Sequence, residues 1–264
     1  MPLAIEQIRR MRGGAQAQLM RCADAGYYVV KFQNNPQGVR ILANELLATR
    51  VAERIGLPTP VAAVVEVREI LIENTEDMVI QLGRGRERYR AGLQFGSRYP
   101  GSPAEVAVYD FVPEESFNEV VNLSDFCGMH AFDKWTCNTN GRQAIFFRRA
   151  GASHYEAQMI DNGFCFNAGE WNFPDAPLRG LYARHRVYAG VRGIESFEPW
   201  LTRIEKMDVE AVGAIAGEIP PEWYNFAYDA VERLVEQFSR RRNLVRDLIL
   251  SAWKSSAQPF PNWK

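Results

Sequence analysis

Short alternating runs of apolar and polar residues dominate the chain as far as residue 113, and helical periodicity takes over beyond about residue 120. A block of strands followed by a block of helices lacks the strand–helix alternation that a parallel sheet requires, so the order predicts an α+β fold. The same break predicts two lobes, a strand-rich one over 1–113 and a mainly helical one over 114–264. With 264 residues, 47% of them hydrophobic, the chain is long enough to bury a core without metal or disulfide staples.

Residues 38–56 give the clearest helix signal. Val39, Leu42, Ala43, Leu46, Leu47, Val51 and Ile55 recur at helical spacing, and Gly56 stands at the stop before Pro58. Residues 15–33 read as two strands with a turn at Asp24–Gly26, and 61–72, 77–82 and 107–113 as further strands. Residues 1–12 read as a short helix or arm with a basic end at Arg9, Arg10 and Arg12. The Gly-, Arg- and Pro-rich stretch 83–104 reads as a long ordered loop. Helices are expected over 124–136, 195–206, 208–216 and 221–254, and a hairpin from 143 to 166 around Ala150–Gly151.

Charge narrows the function. Lys and Arg number 31 and Asp and Glu 32, a net charge of −1, without the basic excess of a direct nucleic-acid binder. The four cysteines are widely spaced and form no CxxC pair, which disfavours a zinc site or a disulfide framework. No apolar run reaches about 18 residues, so no membrane span is expected. The first residues, MPLAIEQIRRMRGG, carry no secretion-type apolar segment. The expectation is a cytoplasmic protein.

The charged residues that break the apolar pattern carry the chemistry. Lys31 sits in YVVKF and must reach solvent or a partner. Glu45 follows in the next helix, beside Asn44, where it can pair with a strand lysine and aim the ammonium at phosphate oxygens, as in kinases. Gly13 and Gly14 precede the strand and would form a phosphate-covering turn, or simply a turn. Asp161, with Gly163 two places on, ends a strand; it is either a turn residue or a carboxylate for Mg2+. Asp133 and Asn138 have the spacing of a kinase catalytic Asp and its metal-binding Asn. Lys31, Glu45, Asp133, Asn138 and Asp161 thus fall in kinase order. His130 reads as structural, Arg142 as a phosphate contact or an ion-paired residue, and Ser97 and Arg98 as a candidate cover of the cleft.

NELLATRVAERIGLPTP (44–60), FGSRYPG (95–101), YDFVP (109–113), FDKWTCNTNGRQAIFF (132–147) and MIDNGF (159–164) together resemble the HipA-like kinases, in particular their compact bacterial subgroup. The resemblance runs over roughly 13–250, and IDNGF also resembles the matching motif of type II phosphatidylinositol 4-kinases. It implies a bilobal protein-kinase-like fold binding ATP and Mg2+ between the lobes. By resemblance Lys31 and Glu45 anchor phosphates, Asp161 binds the metal, and Tyr109, Asp110, Phe111 and Val112 line the adenine pocket. The catalytic loop fits two registers. In one, Asp133 is the base and Asn138 a metal ligand. In the other, Asn140 stands where relatives carry the catalytic Asp, and Gln143 replaces the metal-binding Asn. The implied activity is transfer of phosphate to Ser or Thr of a protein substrate. A nucleotide-binding pseudokinase acting through a regulatory partner and a lipid or small-molecule kinase are the alternatives.

Overall fold

The computed structural model describes residues 1–149 and 151–264; Ala150, at the expected hairpin tip, lies outside the described residues. The chain opens with strands β1 (Ala4–Arg10), β2 (Gln18–Cys22) and β3 (Tyr27–Lys31), followed by helix α1 (Arg40–Arg54). Then come β4 (Ala62–Val67), the short helix α2 (Glu69–Glu73), β5 (Val79–Leu82), β6 (Gly85–Arg88) and β7 (Gly92–Arg98). The order β1-β2-β3-β7-β4 forms a five-stranded antiparallel sheet, with β5 and β6 as a separate hairpin.

Two expectations fail here. Residues 1–12 hold an edge strand, not a helix: β1 pairs along β2, and the only buried side chain among its residues is Ala4. The stretch 83–104 is not one loop, because β7 lies between β3 and β4. Its Gln94, Phe95 and Gly96 are buried, and a side chain at Gly96 would collide with Val65. Glycine there permits the close strand packing that its composition made look like loop. Residues 69–72, expected as the end of the strand over 61–72, instead belong to the short helix α2.

One face of the sheet packs Met20, Val30, Phe32, Val65 and Val67 against Ile72, Met78, Ile80 and Tyr89. The other face receives α1 over β4 and β7. This helix is buried on nearly every side, from Ile41 to Ala52. It stops at Gly56, whose φ of +78° is a left-handed conformation that other residues resist.

A second sheet is formed by β8 (Val108–Tyr109), β9 (Gln143–Phe147) and β10 (Glu156–Ile160) in the order β10-β9-β8. Only two residues of the strand expected at 107–113 pair, and they pair with β9. Beside this sheet lies helix α3 (Asp125–Thr136), buried from Phe126 to Thr136. Among the described residues four more α-helices follow: α4 (Trp200–Glu205), α5 (Val209–Ala216), α6 (Tyr228–Arg241) and α7 (Val245–Trp253). Trp135 stacks on Phe238 at 4.2 Å and donates its indole N–H to the Phe238 carbonyl at 3.0 Å, joining α3 to α6. Trp223 donates to the Leu93 carbonyl at 2.9 Å, and Arg203 to the Ile55 carbonyl at 2.9 Å, tying the helical part to β7 and to the end of α1. Among the described residues, no helix is long and apolar enough to cross a membrane.

Candidate active site

Alternation along β3 buries Tyr28 and Val30 on one face and turns Val29 and Lys31 into a cleft between the two sheets. Three distant segments meet there. The Lys31 ammonium pairs with Glu45 Oε1, from α1, and with Asp161 Oδ1 at 2.6 Å, from the end of β10. Glu45 uses its other oxygen to accept the Asn162 N–H at 3.0 Å. Gln143, the first residue of β9, donates its Nε2 to Asp161 Oδ2 at 2.6 Å. Gly163 lets α1 approach this turn, since a side chain there would meet Ile41 Cγ2 at 2.5 Å and Glu45 Oε1 at 3.4 Å.

One cation facing two carboxylates leaves the cluster with a formal charge of −1. Burial opposes the charge on Lys31, but Glu45 and Asp161 outweigh it and raise its pKa. Burial raises Glu45, an effect the Lys31 charge only partly offsets. Burial also acts to raise Asp161, yet Lys31 prevails and holds it below the usual carboxylate value. The two carboxylates are therefore driven apart, Glu45 upward and Asp161, at the cavity wall, downward.

Gly13 and Gly14 form the roof of the cavity. Their turn is closed by Met11 N–H to the Ala17 carbonyl at 2.8 Å and Gln16 N–H to the Gly13 carbonyl at 3.1 Å. Gln16 also exchanges two hydrogen bonds with the Gln81 backbone, at 2.7 and 2.9 Å, so the hairpin of β5 and β6 braces the roof. Cavity volume is about 670 Å3, within the range of sites for nucleotide-sized ligands. Val29, Phe95, Ile145 and Ile160 supply apolar walls, and Arg9, Arg12, Ser97 and Arg98 also line it.

The expected catalytic loop divides. Asp133 and Asn138 do not line the cleft. The Asp133 side chain is fully buried and clamped by Arg142, through Nε to Oδ2 at 2.8 Å and through Nη2 to Oδ1. Asn138 Nδ2 donates to Asp133 Oδ1 at 3.0 Å. Arg142 extends the network to the Ile160 carbonyl at 2.7 Å and Asn162 Oδ1 at 3.0 Å. With no path to solvent and its charge spent on Arg142, Asp133 cannot meet an acceptor hydroxyl. This corrects the reading of Asp133 as base and Asn138 as metal ligand. Asn140 and Gln143 do line the cavity, which favours the second register.

Of the segment expected to hold adenine, Asp110 lines the cavity, together with the neighbouring Val108. Tyr109 is about half exposed and packs edge-on against Tyr155. Phe111 lies on the surface beneath the Arg184 guanidinium, 4.7 Å from its ring centre. Val112 is buried, and its carbonyl already accepts from Arg184 at 2.8 Å. Tyr109, Phe111 and Val112 are therefore removed from the pocket. His130 is packed among Tyr188, Phe197 and Phe260, and burial drives its pKa down. Arg142 proves to be the ion-paired residue and not a phosphate contact.

Mg2+ takes one or two carboxylates and completes its shell with phosphate oxygens and water. Asp161 meets that need, with Gln143 on the same wall as a neutral oxygen donor, whereas Asn140 already turns its Oδ1 to the Gly141 N–H at 2.9 Å. Among the described residues no group of three or more His, Cys, Asp or Glu could hold a metal alone.

A sheet-based roof with a glycine turn, a strand Lys paired to a helix Glu, and an Asp beyond a hairpin define a protein-kinase-like α+β fold. The model of the HipA-like kinase family matches residues 4–159, more than half of the chain, and the protein belongs to that family. The chain is similar to the Helicobacter pylori proinflammatory kinase CtkA, with a TM-score of 0.60 and 13% identity, over 94% of this chain and 95% of that one. It is also similar to the Golgi casein kinase, with a TM-score of 0.53 and 11% identity, over 97% of this chain and 74% of that one. At such identities the likeness shows the fold alone. No curated protein matches the sequence.

Proposed function

We propose that the protein binds ATP with Mg2+ in the cleft and transfers the γ-phosphoryl group to a hydroxyl, that of Ser or Thr in a protein substrate. The observation that carries this reading is the convergence of Lys31, Glu45 and Asp161 under a glycine turn, from positions 14 and 130 residues apart in sequence. Lys31 would orient phosphate oxygens while Glu45 fixes its direction. Asp161 would hold Mg2+, which neutralises phosphate charge when bound, and Gln143 would turn its amide oxygen toward it. Asn140 would orient the acceptor hydroxyl. An amide cannot take the proton, but phosphoryl transfer through a loose transition state depends mainly on positioning and charge.

The test is incubation with γ-labelled ATP, Mg2+ and a mixed protein acceptor, beside Asp161→Asn. Label on protein that is lost in the variant supports the reading. ATP binding without label transfer or ATP consumption contradicts it. That outcome would instead support a nucleotide-binding regulator, which the amides at 140 and 143 favour. Label on lipid or a small molecule, with none on protein, would move the acceptor class.

A further inference from the structure

The segment after Asp161 is held by one side chain that the phosphate-anchoring cluster does not use. Asn44 is buried on α1, next to Glu45. Its Nδ2 donates to the carbonyls of Gly163 at 2.8 Å, Cys165 at 3.0 Å and Ala168 at 2.7 Å. Its Oδ1 accepts the Trp171 indole N–H at 2.8 Å. Every polar atom of the amide is thus spent on residues 163–171.

That segment would not keep its shape unaided. Phe166, Asn167, Ala168 and Trp171 all have φ between +53° and +57°, a conformation that side chains disfavour and that persists only where surroundings over-determine it. Arg40 adds a hydrogen bond to the Gly169 carbonyl at 2.7 Å and lies 4.6 Å over the Trp171 ring. Further on, Lys134 Nζ donates to the carbonyls of Ala176, Pro177 and Arg179, at 2.8 to 3.0 Å. Arg241 grips Asp175 with two bonds, at 2.9 and 2.6 Å. Residues 161–184 contain no Ser or Thr, and their single tyrosine, Tyr182, is buried.

Many protein kinases order this part of the chain by adding a phosphate that pairs with arginine. Here buried amide and cationic side chains already make the equivalent contacts, and no accessible hydroxyl is present to modify. We infer that Asn44 is a positioning residue that holds the segment 163–171, and through it Asp161, in the metal-presenting geometry without phosphorylation. Its positioning role rests on the nucleotide reading above. Because Asn44 and Glu45 are neighbours on one helix, the lysine partner and the segment clamp move together.

The test begins without nucleotide. Amide hydrogen exchange is compared in wild type, Asn44→Asp and Trp171→Phe. Asn44→Asp sets a carboxylate against three carbonyl oxygens, and exchange over 163–171 should rise about tenfold or more, the worth of one net hydrogen bond, with protection of β2, β3 and α3 retained. Trp171→Phe keeps the carbonyl bonds, and exchange should rise only around 168–172. It keeps the inference testable if Asn44→Asp fails to fold. In a second arm, Mg2+ is titrated against binding of a fluorescent ATP analogue. Asn44→Asp should raise the Mg2+ requirement about tenfold on the same ground, while affinity in EDTA stays unchanged, a split that general loosening would not give. Phosphatase treatment of wild type should change neither exchange nor binding. Unchanged exchange in Trp171→Phe or in folded Asn44→Asp, or loss of order after phosphatase, overturns the clamp. A wild type that binds no analogue overturns the nucleotide reading instead, so the two failures are told apart.

Discussion

Replacing Asp133 by Asn separates two roles that the sequence left open. The side chains of Asp133 and Arg142 are both fully buried and share two hydrogen bonds, while Asn138 occupies the remaining side of the carboxylate. The substitution keeps the shape and one acceptor oxygen, but it removes the charge that balances the buried guanidinium and sets an amide NH2 against one of its two N–H donors, while the Ile160 carbonyl and Asn162 Oδ1 stay in place. Breaking a buried pair from one side costs about 3–5 kcal/mol. For a chain of this size each kcal/mol lowers the melting temperature by about 2 °C, so Asp133→Asn should melt roughly 6–10 °C below wild type. Replacing both partners, as Asp133→Leu with Arg142→Met, removes the stranded charge and should recover much of that loss. Circular dichroism melts of the three proteins read both effects, and labelled-ATP transfer is measured on each while folded. Wild-type melting of Asp133→Asn with abolished transfer would restore Asp133 as the base.

Asn140→Asp places a carboxylate at the acceptor side of the cavity and should raise the initial rate of label transfer by roughly 10²-fold, the low end of general-base contributions. Lys31→Met leaves Glu45 and Asp161 facing each other and should weaken ATP binding at least about tenfold by calorimetry, the loss of one charge-assisted contact. Asp161 is held below its unfolded value by Lys31 despite burial, so its contribution to stability is present above that unfolded value and lost as pH falls through the folded one. The melting difference between wild type and Asp161→Asn should stay constant from neutral pH down to about pH 5 and shrink below about pH 4, the ordinary carboxylate range. A difference that grew on acidification would contradict the assigned direction.

The elements carried by strong periodicity were legible in the sequence. The apolar repeat from Val39 to Ile55 became α1, and the alternation at 15–33 became β2 and β3. Strands hidden by composition were not. Glycine and arginine disguise β7, whose Gly96 serves close packing against Val65, and β1 shows isoleucines on an exposed edge. Lys31, Glu45 and Asp161 stood out because charge in an apolar pattern demands a partner. The same signal was present at Asn44, a polar residue in the buried run from Leu42 to Ala48, but nothing local announces that its partners lie 119 to 127 residues away. The catalytic loop was ambiguous because spacing alone does not tell a cleft carboxylate from a buried one. Only the Arg142 pair, closed by the third dimension, separates Asp133 from Asn140.

On the proposed function this cleft holds a nucleotide through Lys31 and, by way of Mg2+, through Asp161. Calorimetric titration of wild type and Asp161→Asn with ATP, with Mg2+ and with EDTA, tests it most directly. Saturable binding that Mg2+ strengthens in wild type and leaves unaffected in Asp161→Asn is the expected result. Absence of ATP binding in the folded wild-type protein, or equal strengthening by Mg2+ in both proteins, would contradict it.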